Sequence, residues 1–177
     1  MGSTYQPSMF DLMGGPAAGL EPLACLTRHR LTAGAWVDVL PGWLHGSDAV
    51  FDTLLGIDWR ADRRQMYDSV VDVPRLLRWY GGDEQLPHPA LTEARAALNR
   101  HYAGELGEEF VTAGMCLYRD GRDSVAWHGD TLGRSAHMDT MVAIVSFGSP
   151  RPLLLRPPPA LGADEQRCLA RRAVLRG

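Results

Sequence analysis

The chain contains no lysine: all 18 of its cationic side chains are arginines. That excludes chemistry built on an amine, whether a Schiff-base lysine or the lysine of a phosphate-binding loop. Cysteine is scarce as well. Cys25, Cys116 and Cys168 are odd in number and far apart, so they make neither a CxxC pair nor a disulfide framework. No run approaches the ~18 consecutive apolar residues of a membrane span, and the opening stretch lacks the basic start and apolar core of a secretory leader. A cytoplasmic monomer with no membrane partner is expected. The formal charge of −3 excludes a globally basic nucleic-acid binder and leaves room for a local basic patch.

The sequence is rich in turn formers, with 19 glycines and 12 prolines among 177 residues. This is high for a helical bundle and points to a strand-rich single domain. The expected class is mainly β with flanking helices, α+β. Residues 1–30 read as an arm, 31–156 as the main domain and 157–177 as an atypical, weakly structured tail. Ala35 to Leu40 reads as a strand stopped by Pro41-Gly42. Ser47 can cap a helix carrying Val50, Phe51, Leu54 and Leu55 on one face and ended by Gly56. Trp59 to Asp72 reads as extended chain, and Arg75 to Tyr80 as a further short segment. A second helix starts at Pro89 and buries Leu91, Ala94, Leu98 and Tyr102 before Gly104 or Gly107. Val111 to Tyr118, Val125 to His128, Met141 to Phe147 and Pro152 to Arg156 read as strands, with a turn at Asp120-Gly121.

The most informative residues are Val125-Ala126-Trp127-His128-Gly129-Asp130. On an extended backbone, residues i and i+2 point to the same side. His128 and Asp130 can then offer an imidazole nitrogen and a carboxylate to one metal ion, two-thirds of the facial triad of non-haem Fe(II). Trp127 would face the other way and pack.

The order Cys116-Leu117-Tyr118-Arg119-Asp120-Gly121, then His128-Gly129-Asp130, then Val142-Ala143-Ile144-Val145-Ser146-Phe147-Gly148 resembles the AlkB-like 2-oxoglutarate/Fe(II) dioxygenases. Upstream, Trp59-Arg60, Arg63-Arg64-Gln65-Met66-Tyr67 and Val73-Pro74-Arg75-Leu76 are similar to that family's nucleotide-recognition lid, here at about 57–82. The resemblance implies a double-stranded β-helix (jelly roll), incomplete in this chain. It implies Fe(II), 2-oxoglutarate and O2, with alkylated DNA or RNA as partner. Oxidation of an alkyl carbon on the damaged base would release it as formaldehyde. It further implies His128 and Asp130 as iron ligands, Tyr118 as a hydrogen-bond partner of the 2-oxoglutarate carboxylate, and Trp59 and Tyr67 in the base pocket. Arg60, Arg63, Arg64, Arg75 and Arg78 would neutralise phosphates locally. Ordinary alternatives stand beside each: a half-buried strand tyrosine at 118, core aromatics at 59 and 67, and a solvated face for the arginines.

The chain departs from the family in specific places. No histidine follows His137, so the second iron histidine and the later 2-oxoglutarate arginine are missing, and a truncated or frame-shifted C-terminal portion is expected. Cys116 stands where the family has an asparagine near the co-substrate. Leu132 stands where an acidic residue reads the base, with Asp139 as a substitute. Two other readings follow: a non-catalytic remnant with weak nucleic-acid or metal binding, or another small metal enzyme with His137 as third ligand.

Overall fold

The computed structural model describes residues 18–66, 68–128, 141–156 and 171–176, the last of these at the level of the backbone. In chain order the strands are β1 (Gly19–Leu20), β2 (Thr27–Arg30), β3 (Trp36–Leu40) and β4 (Leu44–His45). After helix α1 (Ser47–Leu55) come β5 (Arg60–Met66) and β6 (Ser69–Tyr80). Helix α2 (Pro89–Leu106) leads to β7 (Ala113–Leu117), β8 (Met141–Ser146) and β9 (Arg171–Arg176). Among the described residues these strands make three sheets, ordered β1-β4, β2-β3-β9-β8 and β5-β6-β7. The molecule is mainly β with two helices.

Local chemistry sets both helices. Pro89 opens α2, where its missing N–H costs nothing, and His88 Nδ1 accepts the Ala90 N–H at 3.1 Å. Leu91, Ala94, Leu98 and Tyr102 are all buried at the spacing the sequence predicts. Gly107, at φ 67°, ends the helix in the left-handed conformation that glycine adopts without strain. Helix α1 begins one residue earlier than the cap reading implies. Ser47 is its first residue, and the capping position belongs to Gly46 at φ 64°.

Helix α2 serves two apolar clusters. Its Ala94, Leu98 and Tyr102 pack with Leu23, Trp36, Leu40 and Trp43. Its Ala90 and Leu91 pack with Leu44, Val50, Leu54, Tyr80 and Leu86. Within the first cluster lies a charge. Asp38, 2% exposed, accepts two bonds of 2.7 Å from Arg28 and one of 3.0 Å from the Tyr102 hydroxyl. Arg28 also bonds Glu105 at 2.9 and 3.1 Å and lies 3.8 Å over the Trp36 ring. Burial pushes the Asp38 carboxyl up, but Arg28 and Tyr102 outweigh it and hold it below the usual carboxylate range.

Five segments differ from the sequence reading. Trp59 to Asp72 and Arg75 to Tyr80 join as one hairpin, β5-β6, with a bulge between Ala61 and Arg63. Val125 to His128 and Pro152 to Arg156 are irregular rather than strands. The tail, expected to be weakly structured, contributes β9, which pairs in parallel with both β3 and β8. Non-local pairing of this kind leaves no periodic mark in the segment itself.

Candidate functional site

Helix α2 fixes the strand that carries the site. Asn99 accepts the Phe110 N–H at 2.7 Å and donates to the Phe110 carbonyl at 3.2 Å, while Arg95 donates to the Val111 carbonyl at 2.9 Å. Strand alternation then sorts β7. Ala113 and Met115 pack on the second cluster, whereas Gly114 and Cys116 face outward. Leu77 pairs with Cys116 and Trp79 with Gly114; directly opposite residues share a face. Arg60, opposite Leu77, joins them. Trp79 is 54% exposed. Its ring lies so close over Gly114 that a Cβ there would sit 3.1 Å from it. A hollow of about 250 Å³ beside it is lined by Arg60, Asp62, Leu77, Arg78 and Trp79.

Arg75 and Tyr118 come one residue beyond the last pair of this ladder, Leu76–Leu117. The Arg151 guanidinium lies 4.3 Å from the centre of the Tyr118 ring. Arg151 donates to the Asp123 carbonyl at 2.6 Å, and Arg75 donates to the Ser124 carbonyl at 3.1 Å. Ser124 in turn donates its N–H to Pro74 at 2.8 Å. The two arginines therefore grip the main chain that leads to His128. The Nε of Arg75 is buried and has no hydrogen-bond partner among the described residues. Asp123 is buried and takes three bonds of 2.8 Å from Arg119, which hold its carboxyl down to about 2. Burial, with Cys116 beside it, pushes the Tyr118 hydroxyl up against the opposing pull of Arg75 and Arg151. Tyr118 is thus a protonated donor at neutral pH.

His128 is exposed, and its Nδ1 lies 2.8 Å from the Ala126 carbonyl. A carbonyl can only accept, so Nδ1 carries a proton. Metal-binding histidines commonly donate from their other ring nitrogen in this way. Strand alternation is not what aims it, because Val125 to His128 form no strand. Asp130, Tyr67, Leu132, His137 and Asp139 lie outside the described residues. Among the described residues no group of three or more His, Cys, Asp or Glu is placed to hold a metal.

Other expectations meet different surroundings. Trp59 is half-buried, and its indole N–H donates to the Leu54 carbonyl at 2.8 Å, tying β5 to the end of α1. Trp127, expected to pack, is 53% exposed, with the Arg156 guanidinium 4.2 Å over its ring. Arg60, Arg63 and Arg78 pair with Asp58, Asp72 and Glu84. Sequence reasoning passed over Trp79 and Arg151. Parity was the available signal for Trp79, which shares its alternation with Leu77 and Arg75 on β6. No local pattern marks Arg151.

The chain is 30% identical over 143 residues to alpha-ketoglutarate-dependent dioxygenase alkB homolog 3 of Bos taurus, covering 72% of this chain and 49% of that protein. To the Homo sapiens protein of the same name it is 29% identical over 174 residues, covering 90% of this chain and 56% of that protein. By sequence the chain is related to the AlkB-like 2-oxoglutarate-dependent dioxygenases. No protein-family model matches it. This AlkB-like chain spans about half the length of the curated relatives it matches. No helix among the described residues is long and apolar enough to cross a membrane.

Proposed function

We propose that the chain belongs to an Fe(II)/2-oxoglutarate-dependent dioxygenase that removes alkyl groups from bases of DNA or RNA. The similarity to alkB homolog 3 carries this reading. The outward face of β6 and β7 supports it, because it carries Tyr118 and the exposed Trp79, and Arg75 and Arg151 hold the main chain a few residues before His128. In this reading the sheets are part of an incomplete jelly roll, and the β5-β6 hairpin is its nucleotide-recognition lid. Iron with 2-oxoglutarate and O2 supplies the oxidising power that hydroxylates an alkyl carbon on the base, which then leaves as formaldehyde.

The protein's own groups bind and orient. His128 and the Asp130 carboxylate would hold the iron. The Tyr118 hydroxyl donates to a carboxylate of 2-oxoglutarate. Cys116, a weak donor, adds little where an amide would add a bond. A base drawn out of the stack needs an aromatic face. Tyr67 and the exposed Trp79 offer one, while Trp59 holds the hairpin in place. Arg60, Arg63 and Arg78 must exchange a carboxylate for a phosphate before they can contact the backbone, so their share of binding is salt-sensitive.

A second reading is a non-catalytic remnant that holds metal or nucleic acid weakly. Cys116 and Leu132, standing where an amide and an acid are expected, favour it. Succinate and formaldehyde release from 2-oxoglutarate, Fe(II) and a methylated oligonucleotide separates the two. The first reading expects turnover that falls by about 100-fold in Asp130→Ala, the range of a lost metal ligand or its support. Equal rates for the two proteins would refute it.

A further inference from the structure

His128 ends a stretch, 123–128, that forms neither strand nor helix. A ligand residue on such a stretch must take its geometry from neighbouring elements, because an unsupported backbone samples many conformations. Three arginines distant in sequence meet it. Arg75, on β6, donates to the Ser124 carbonyl at 3.1 Å, and the adjacent Pro74 carbonyl accepts the Ser124 N–H at 2.8 Å. Arg151 donates to the Asp123 carbonyl at 2.6 Å, while Arg119 ties the Asp123 carboxylate separately. Arg156 lies 4.2 Å over the ring of Trp127, next in the chain to His128. Arg151 and Arg156 thus meet the stretch in chain order, and 151–156 runs alongside 123–127 and pins it at both ends. Between the pins, the Ala126 carbonyl lies 2.8 Å from His128 Nδ1. That bond fixes the plane of the imidazole and hence the direction of its Nε2.

We infer that Arg75, Arg151 and Arg156 are positioning residues that aim the His128 imidazole through the main chain that carries it. Arg75 and Arg151 place the stretch by bonding two successive carbonyls. Arg156 sets its far end by holding an indole that is otherwise 53% exposed. The arginines act on the backbone, and the backbone, through the Ala126 carbonyl, orients the ring. That His128 binds a metal rests on the functional reading above; the clamp itself rests on the geometry.

Heteronuclear NMR of the imidazole nitrogens in the full chain, without metal, reads the ring directly. The spectra are taken at about pH 8.5, where an ordinary imidazole is neutral, and His128→Gln identifies the signals. The parent should hold the His128 proton on Nδ1. Arg151→Met and Arg156→Met should move the ring toward the mixed tautomers of an unheld imidazole, and the matching Lys variants should restore it in part. Titration with Co(II), followed by visible absorption, should show affinity about tenfold lower in Arg151→Met, the range for lost support of a ligand. Arg156→Met, Trp127→Leu and the two combined should fall equally, because all remove the same contact. Arg122→Gln, at a side chain 92% exposed, leaves ring and affinity unchanged. Circular dichroism establishes folding, and if Arg151→Met unfolds, Arg156→Met and Trp127→Leu carry the test. An unaltered tautomer in the folded variants overturns the clamp. A shifted tautomer, with Co(II) affinity the same in parent and His128→Gln, leaves the clamp standing and removes the metal reading. Co(II) binding that needs His128 but is untouched by the arginine variants does the reverse.

Discussion

Two arginine–tyrosine clusters in this molecule use the same side chains to opposite ends. At Asp38 the arginine is sandwiched between a carboxylate and an indole, the tyrosine donates to the same carboxylate, and the region is closed by Trp36, Trp43 and α2. At Tyr118, among the described residues, the hydrogen bonds of Arg75 and Arg151 run to main-chain carbonyls, and the surrounding sheet face is open. Each cluster has a buried acid, Asp38 in one and Asp123 in the other. The difference lies in what each acid binds. Asp38 accepts from both the arginine and the tyrosine and makes an internal brace, whereas the Asp123 carboxylate takes three bonds from Arg119.

The largest test breaks the closed cluster. Asp38→Ala leaves Arg28 and Tyr102 facing a cavity. A stability loss of about 3 kcal/mol is expected, toward the lower end for a broken buried pair because Arg28 is partly hydrated. Urea unfolding with an unchanged m-value measures it, and a loss under about 1 kcal/mol would mean the brace is ornamental. Tyr102→Phe is milder, about 1.5 kcal/mol for one hydrogen bond to a charged acceptor. It also alters the alkaline limb. Burial, and then the bond to Asp38, raise the Tyr102 pKa. The folded protein thus keeps a proton that the unfolded chain releases near the ordinary tyrosine value of about 10. This contribution is complete below that value and is lost as pH rises above it. Thermal melts above pH 10 should fall less steeply for Tyr102→Phe than for the parent, and parallel slopes would contradict the assignment. The smallest effect sharpens the comparison by converting the open cluster into a closed one. Cys116→Asp places an acid on the outward face two residues before Tyr118. A gain of about 0.5 kcal/mol is expected, typical of an exposed pair, together with loss of 2-oxoglutarate binding in titration. Retained binding would show that the new carboxylate does not reach the arginines.

Much of this arrangement was legible before any coordinates. The buried face of α2 follows from Leu91, Ala94, Leu98 and Tyr102, because helical periodicity is written in neighbouring residues. Strands β3 and β8 were readable as apolar runs between turn residues. Tyr118 was placed among co-substrate groups by the family resemblance; the structure puts the Arg151 guanidinium over its ring. Other features depend on distant partners. Asp38 reads as an ordinary strand aspartate until β2 brings Arg28 across and α2 brings Tyr102 from 64 positions away. Arg151 gains meaning only from Tyr118, and Arg-Arg-Ala-Val-Leu-Arg is an unremarkable string until β3 and β8 enclose it.

That enclosure has a consequence during synthesis. Strands β3 and β8 are translated well before the segment that fits between them, so each leaves the ribosome with a bare hydrogen-bonding edge turned toward an empty slot. Until residues 171–176 arrive, nascent chains in a polysome present one another with matching vacancies. The yield of native protein should then depend on translation speed and chaperone supply more than on final stability.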